Sequence, residues 1–183
     1  MTGNHAAGSE SAAFWIFGHD APHGDSTGET PPGDSSDFVF DNNTVHSAKQ
    51  GVFIDGRVSA NGRVRLGPIN PRNTDNLVMS NTTAFKIRAP SRLQGAVWAR
   101  VHNATVDNLM VADNDEGVFL YSRGYLLNSV IVAESNGNAG EDFQRDKRQT
   151  GVRLYLVFST GKQEPKQDMI NLVTRHTVYR ESD

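Results

Sequence analysis

Three stretches of this chain repeat one another: FDNNTVHSAKQGVFID at 40–55, VDNLMVADNDEGVFLY at 106–121 and LLNSVIVAESNGNAG at 126–140. Each carries an Asn, an apolar alternation, a small or polar turn and then a Gly, pairing Asn43 with Gly51, Asn108 with Gly117 and Asn128 with Gly137. Self-similarity at a period of about 20–25 residues, in units too short to bury a face alone, demands that the units stack to make a core. The alternation is of the β type, so the sequence predicts an all-β chain folded as a right-handed parallel β-helix, a solenoid, in one domain over 1–183.

The rest of the composition agrees with a narrow solenoid. Hydrophobic residues make up 37% of the chain and aromatics 8%, with 17 Gly, which is lean for a helical bundle but suits coils that spend many residues on corners. Polar stretches rich in Pro, Gly and charge at 19–36, 56–75 and 136–150 read as loops leaving the coils, since loops longer than about 12–15 residues are seldom mere connections. Strands opening on Gly51, Gly95, Gly117 and Gly151 are candidates for one equivalent position, and a strand through 12–17 reads as buried. A net charge of −3 with scattered basic residues excludes the electrostatic footprint of a nucleic-acid binder. No cysteine is present, which removes disulfides and thiolate metal sites, and no apolar run reaches membrane-spanning length. The first residues, MTGNHAAGSES, already read like the inside of a repeat, so the chain is expected to be a partial solenoid whose open ends invite end-to-end self-association.

The string GNHAAGSESAAFWIFG at 3–18, followed after a loop by FDNNTVHSAKQGVFIDG at 40–56, resembles the parallel β-helix repeat region of the fibrocystin and cell-migration-inducing hyaluronan-binding protein family. Shared with that family are a small-residue run leading into an aromatic strand, a variable loop, and an N-N-x-x-H-S turn leading to a Gly-started strand. The resemblance covers 3–17 and 38–56; SAAFW stands where the family has a glycine before its aromatic pair. It implies an extracellular or cell-surface setting and, for some members, binding or degradation of hyaluronan.

Candidate chemistry falls into three groups. His46 and His5 flank the family-like motifs, and imidazoles beside carboxylates such as Asp55 or Glu10 are the components of general acid-base work on a sugar; corner histidines bonded to backbone explain them equally. Arg100 and Arg123 each follow a Gly-started strand by five or six positions, so they are expected to stack along one side. With Trp98, placed outside by alternation with Val97, and Tyr121, they form a candidate surface for an anionic polysaccharide; Trp15 is assigned to the core. Asp113, Asp115 and Glu116 supply hard oxygen ligands at short spacing on a turn, a candidate Ca²⁺ site that lacks the full EF-hand pattern. The Asn residues at 43, 108 and 128 are expected to form a ladder of turn amides. Sequons stand at Asn42, Asn81 and Asn103. Two functions stay open: a domain binding or processing an anionic polysaccharide such as hyaluronan, and a non-catalytic structural or adhesion module presenting its loops to a protein partner.

Overall fold

The computed structural model describes residues 1–19, 38–59, 61–69, 77–88, 95–101, 103–114, 116–121, 123–132, 150–155, 167–170 and 173–175. Among them every regular element is a β-strand, and no helix is long and apolar enough to cross a membrane. The expected loops at 19–36 and 136–150 lie outside the described residues, save that His19 ends one strand and Thr150 begins another.

The strands distribute over three sheets. Sheet A contains β3 (Val39–Asp41), β7 (Leu77–Ser80), β10 (Asn103–Asp107), β13 (Arg123–Leu127) and β16 (Gln167–Ile170). Sheet B runs β1 (His5–Ala7), β4 (Thr44–His46), β8 (Thr83–Phe85), β11 (Met110–Ala112), β14 (Val130–Val132) and β17 (Val173–Arg175). Sheet C runs β2 (Ala12–His19), β5 (Gln50–Val58), β9 (Val97–Ala99), β12 (Glu116–Tyr121) and β15 (Thr150–Tyr155). After β2 the chain visits the sheets in the cyclic order A, B, C, and within each sheet every strand lies parallel to the one from the preceding round. The exception is β6 (Val64–Arg65), which turns back antiparallel onto β5 and makes the first part of the expected 56–75 loop an extension of sheet C.

Alternation decides what points inward. In β4, β8, β11 and β14 the middle residue alone is buried, and these residues, Val45, Ala84, Val111 and Ile131, stand in one register. Sheet A contributes the rank Phe40, Met79, Val106 and Leu126, and sheet C the ranks Val52, Val97, Val118 and Ile54, Ala99, Leu120, all within one core cluster. Each interior side chain thus packs on its own kind in the next strand, about 4.8 Å away.

Between sheets A and B the chain turns through a residue of left-handed backbone: Asn42 (φ 52°), Asn81 (49°), Asn108 (52°) and Asn128 (47°). Asn tolerates this region because its amide bonds locally, and here the amides and neighbouring carboxylates bond along the stack. Asn108 Nδ2 donates to Asn81 Oδ1 at 2.7 Å, Asn81 Nδ2 to Asp41 Oδ1 at 2.8 Å, and Asn128 Nδ2 to Asp107 Oδ1 at 2.8 Å. The expected ladder is present, with one correction: Asn42, not Asn43, stands at the corner. Asn43 is the next residue, turned inward and buried, where its Nδ2 donates to the Asp41 carbonyl at 2.9 Å. Thr82 and Ser129 do the same to Ser80 and Leu127, so the inward polar side chains satisfy carbonyls that the corner withdraws from the sheets.

The Gly-started strands align with a shift of one residue: Gly51 pairs across from Ala96 rather than Gly95, because Val52 and Val118 both register with Val97. Gly51 is required there. A Cβ built on it would lie 2.1 Å from the Ala96 carbonyl oxygen. Gly51→Ala is therefore expected to destabilise the fold by about 3 kcal/mol, as backbone overpacking does, read as a lowered denaturant midpoint with an unchanged slope.

Hydrogen bonds from Ser80, at 2.6 Å, and Asn81 hold the Asp41 carboxyl below its usual range. A carboxyl depressed in the folded state stabilises above its unfolded value and loses that contribution as pH falls through the folded one. The gap in thermal midpoint between the wild type and Asp41→Ala is accordingly expected to be full at neutral pH and to close below about pH 4.

Candidate functional site

The two histidines expected to work together do come together. His5 and His46 lie on the outer face of sheet B, on neighbouring strands β1 and β4, with ring centroids 4.9 Å apart. His46 stacks on Phe85 of the next strand at 4.7 Å and 14°, and its Nδ1 lies 3.0 Å from Ser47 Oγ. Further along the same face, Thr83, Phe85, Met110, Ala112, Val130 and Val132 line a shallow depression of about 280 Å³ that also touches Asp113.

Asp55 is not with them, and the expected grouping of His5, His46 and Asp55 is corrected here. Asp55 belongs to β5 in sheet C, a different sheet, where it is 2% exposed. Its Oδ1 accepts the Gly67 N–H at 2.8 Å and its Oδ2 the Trp98 indole N–H at 3.0 Å, while Arg100 Nη1 stands 3.6 Å from Oδ2. Its backbone carbonyl accepts the Trp15 indole N–H at 2.9 Å. A carboxylate so enclosed is spent on holding other groups in place. Glu10, the other acid considered, pairs with Lys49 at 2.6 Å, which keeps its carboxyl below the usual range.

What Asp55 holds is the outer face of sheet C. Parallel register places Trp15, Phe53, Trp98 and Phe119 in one rank across β2, β5, β9 and β12. Trp98 and Phe119 stack at 3.8 Å and 8°, Phe53 and Trp98 at 6.3 Å, and Trp15 meets Phe53 edge-on at 6.1 Å. Phe53, Trp98 and Phe119, with Ala12 and Tyr121 packed against them, make a second hydrophobic cluster, separate from the main core. Arg100 follows β9, and its guanidinium carbon lies 5.7 Å from the centre of the Tyr121 ring, within reach of a cation–π attraction. Arg100 keeps about a third of its side chain in solvent, 33%.

Trp98, Arg100 and Tyr121 therefore share one face, as expected, but two tryptophans exchange roles. Trp98 does face away from Val97, yet it is 6% exposed, covered within the aromatic cluster; Trp15, assigned to the core, is on the outer face and 44% exposed, with Phe17 exposed beside it. The strand at 12–17 is accordingly not buried throughout: Phe14 and Ile16 turn toward the core and Trp15 and Phe17 away from it. Arg123 does not stack on Arg100. It opens β13 in sheet A, opposite Asn103, whereas Tyr121 ends β12 in sheet C.

Asp113 occupies a second left-handed corner (φ 55°) at the end of β11, Asp115 and the side chain of Glu116 lie outside the described residues, and among the described residues no three His, Asp or Glu side chains gather to hold a metal ion. Gly67, Phe53 and Phe119 were not among the expected site residues. Phe53 and Phe119 were legible in Gly-Val-Phe at 51–53 and 117–119, which aligns with Ala-Val-Trp at 96–98 and places three rings in one rank; Gly67 carried no signal.

Comparison of the chain with protein-family models, with curated proteins and with solved structures finds no match.

Removing the carboxylate leaves the Trp98 and Gly67 N–H groups without an acceptor. Asp55→Ala is expected to cost about 3–5 kcal/mol in unfolding free energy, the range for breaking a buried pair, and to raise the solvent accessibility of tryptophan in quenching experiments.

Proposed function

We propose that the chain is a right-handed parallel β-helix domain akin to those of the fibrocystin and hyaluronan-binding-protein group, and that it binds an anionic polysaccharide such as hyaluronan outside the cell or at its surface. The cyclic order of the three parallel sheets supports the solenoid, and the strong preference of parallel crossovers for one hand supports a right-handed coil.

The observation that carries the binding reading is Arg100. Its guanidinium is steered by Asp55 on one side and the Tyr121 ring on the other while a third of the side chain stays in water, on a face that also exposes Trp15 and Phe17. A planar guanidinium pairs two-point with a carboxylate, and exposed indole and phenyl surface packs against the apolar faces of sugar rings. A uronic-acid polymer laid across the strands of sheet C meets both. The depression on sheet B offers apolar lining and an acidic neighbour, which a polyanion avoids.

Binding is favoured over processing because acid-base chemistry needs its groups within hydrogen-bond reach of one bond. The imidazoles belong to sheet B, and the carboxylate nearest Arg100 is buried and already engaged by two N–H donors.

The test is co-elution with hyaluronan oligosaccharides on size exclusion, with neutral dextran as control and with and without Ca²⁺. Wild type is expected to co-elute with hyaluronan alone, independently of Ca²⁺ because the guanidinium makes the contact. Arg100→Gln is expected to weaken binding about tenfold, the worth of one charged hydrogen-bonded contact, while Arg123→Gln, in another sheet, leaves it unchanged. Equal binding of dextran, or equal loss in both variants, refutes the site; shortening of the polymer refutes the assignment as a binder without catalysis.

A further inference from the structure

The outer face of sheet B holds a pair of imidazoles that the polysaccharide reading does not use. We infer that His5 and His46 form a two-histidine chelate for a divalent transition-metal cation of the zinc or copper class.

Three observations carry it. The first is spacing. A metal bound at about 2.0–2.1 Å from an imidazole nitrogen lies about 3.2 Å from the ring centre, so two rings centred 4.9 Å apart, with a nitrogen of each turned to one ion, would subtend an angle of about 100° there. That falls between the square-planar and tetrahedral values, the geometries of Cu²⁺ and Zn²⁺. The parallel register sets the spacing: β1 and β4 run side by side with His5 opposite Thr44 and Ala7 opposite His46, so the two imidazoles are diagonal neighbours on one outer face.

The second is the state of the ring nitrogens. His46 has its Nδ1 beside the Ser47 hydroxyl at 3.0 Å, an outer hydrogen bond of the sort that fixes a ligating ring and leaves Nε2 for the ion. Among the described residues the ring of His5 meets that of His46 and forms no hydrogen bond, so neither a backbone nor a side-chain partner has to be displaced.

The third is preorganisation. Ser47 sits in a left-handed corner (φ 53°), and Phe85 stacks flat against His46, so the ring of His46 is held from two sides. His5 is exposed and needs only rotation about its side-chain bonds to bring its ligating nitrogen onto the same point. The remaining coordination positions are left to water or to a ligand, and imidazole donors without carboxylates select transition cations over Mg²⁺ or Ca²⁺.

The test uses the whole chain with ZnCl₂, CuCl₂ and MgCl₂ in a buffer that does not chelate, read by titration calorimetry and by the thermal midpoint, which rises with any ligand that binds the folded state alone. Zn²⁺ and Cu²⁺ are expected to bind one per chain at this pair and raise the midpoint, and Mg²⁺ to do neither. Since the second bond of a chelate forms at high effective concentration, loss of either ligand is expected to weaken binding roughly a hundredfold. The variants are His5→Ala, at an exposed position, and His46→Phe, which keeps an aromatic ring against Phe85 and removes the ligand nitrogens. Retention of the shift in either variant, or an equal response to Mg²⁺, overturns the proposal. The result is independent of hyaluronan binding, which rests on sheet C.

Discussion

The left-handed corners at the two ends of strands β1, β4, β8 and β11 of sheet B are the constraint on which the other features depend. Gly3 and Gly8, Asn42 and Ser47, Asn81 and Lys86, and Asn108 and Asp113 all have positive φ, and in each pair the second residue follows the first by five positions. A strand enclosed between two such corners has room for three residues, of which the middle one faces inward. Left-handed backbone costs an ordinary residue about 1–2 kcal/mol, and at the first corner the Asn amides return part of this by bonding from strand to strand. Once these corners are stacked, register in sheet B is settled, and a slip by one residue would turn Val45, Ala84, Val111 and Ile131 outward together.

Length variation is confined to the remainder of each round. Asn108 follows Asn81 by 27 residues and Ser129 follows Leu109 by 20, yet the corners still coincide. The β6 excursion shows how an insertion is tied down: it leaves β5 after Val58, pairs back through Val64 and Arg65, and delivers the Gly67 N–H to Asp55. The cost of closing a longer loop grows slowly with its length, so a round can lengthen without disturbing its neighbours as long as its ends are anchored.

The repeat pattern made the β content, the corner ladder and the core ranks legible because each depends on local alternation and on residue types tolerant of left-handed backbone. The exchange of Asn43 for Asn42 follows from the same motif: in Asn-Asn-Thr both residues suit a corner, and only the Asn81-Thr82 and Asn128-Ser129 pairs show that the first takes the corner and the second turns inward. Gly95 misled because it immediately precedes Ala96, the residue that the register sets across from Gly51. What alternation could not show is which outward residues a neighbouring segment covers. Trp15 and Trp98 occupy one rank and point the same way, yet Trp98 packs between Phe53 and Phe119 while Trp15 sits on the outermost strand of the sheet. Nor does spacing along the chain say which sheet a residue belongs to, which is why Arg123 and Arg100 look equivalent in sequence and belong to different sheets.

Chemistry on a stack of parallel strands is sorted by sheet, and this bears on which functions are compatible with it. A residue's partners are found one strand away at the same register or two positions along, so cooperating groups come from matching faces of successive rounds: His5 with His46, His46 with Phe85, or Asp55 with Arg100 and Arg100 with Tyr121. Groups on different sheets cannot share a substrate bond however close they lie in sequence, and Asp55 is only nine positions from His46. Under the proposed reading this sorting leaves sheet C with a cation and aromatic surface suited to an extended anionic chain, and leaves sheet B with imidazoles whose ring contacts among the described residues are with each other and with Phe85. A repeating fold offers a repeating ligand the same spacing along its length, so the affinity of sheet C for a polymer depends on how many rounds carry a usable group. The proposal draws on Arg100 for charge and on Trp15 and Phe17 for exposed rings. Under that reading the face acts as a short subsite that orients a few sugars, with any tighter grip on a long polymer arising from multivalency between copies of the domain.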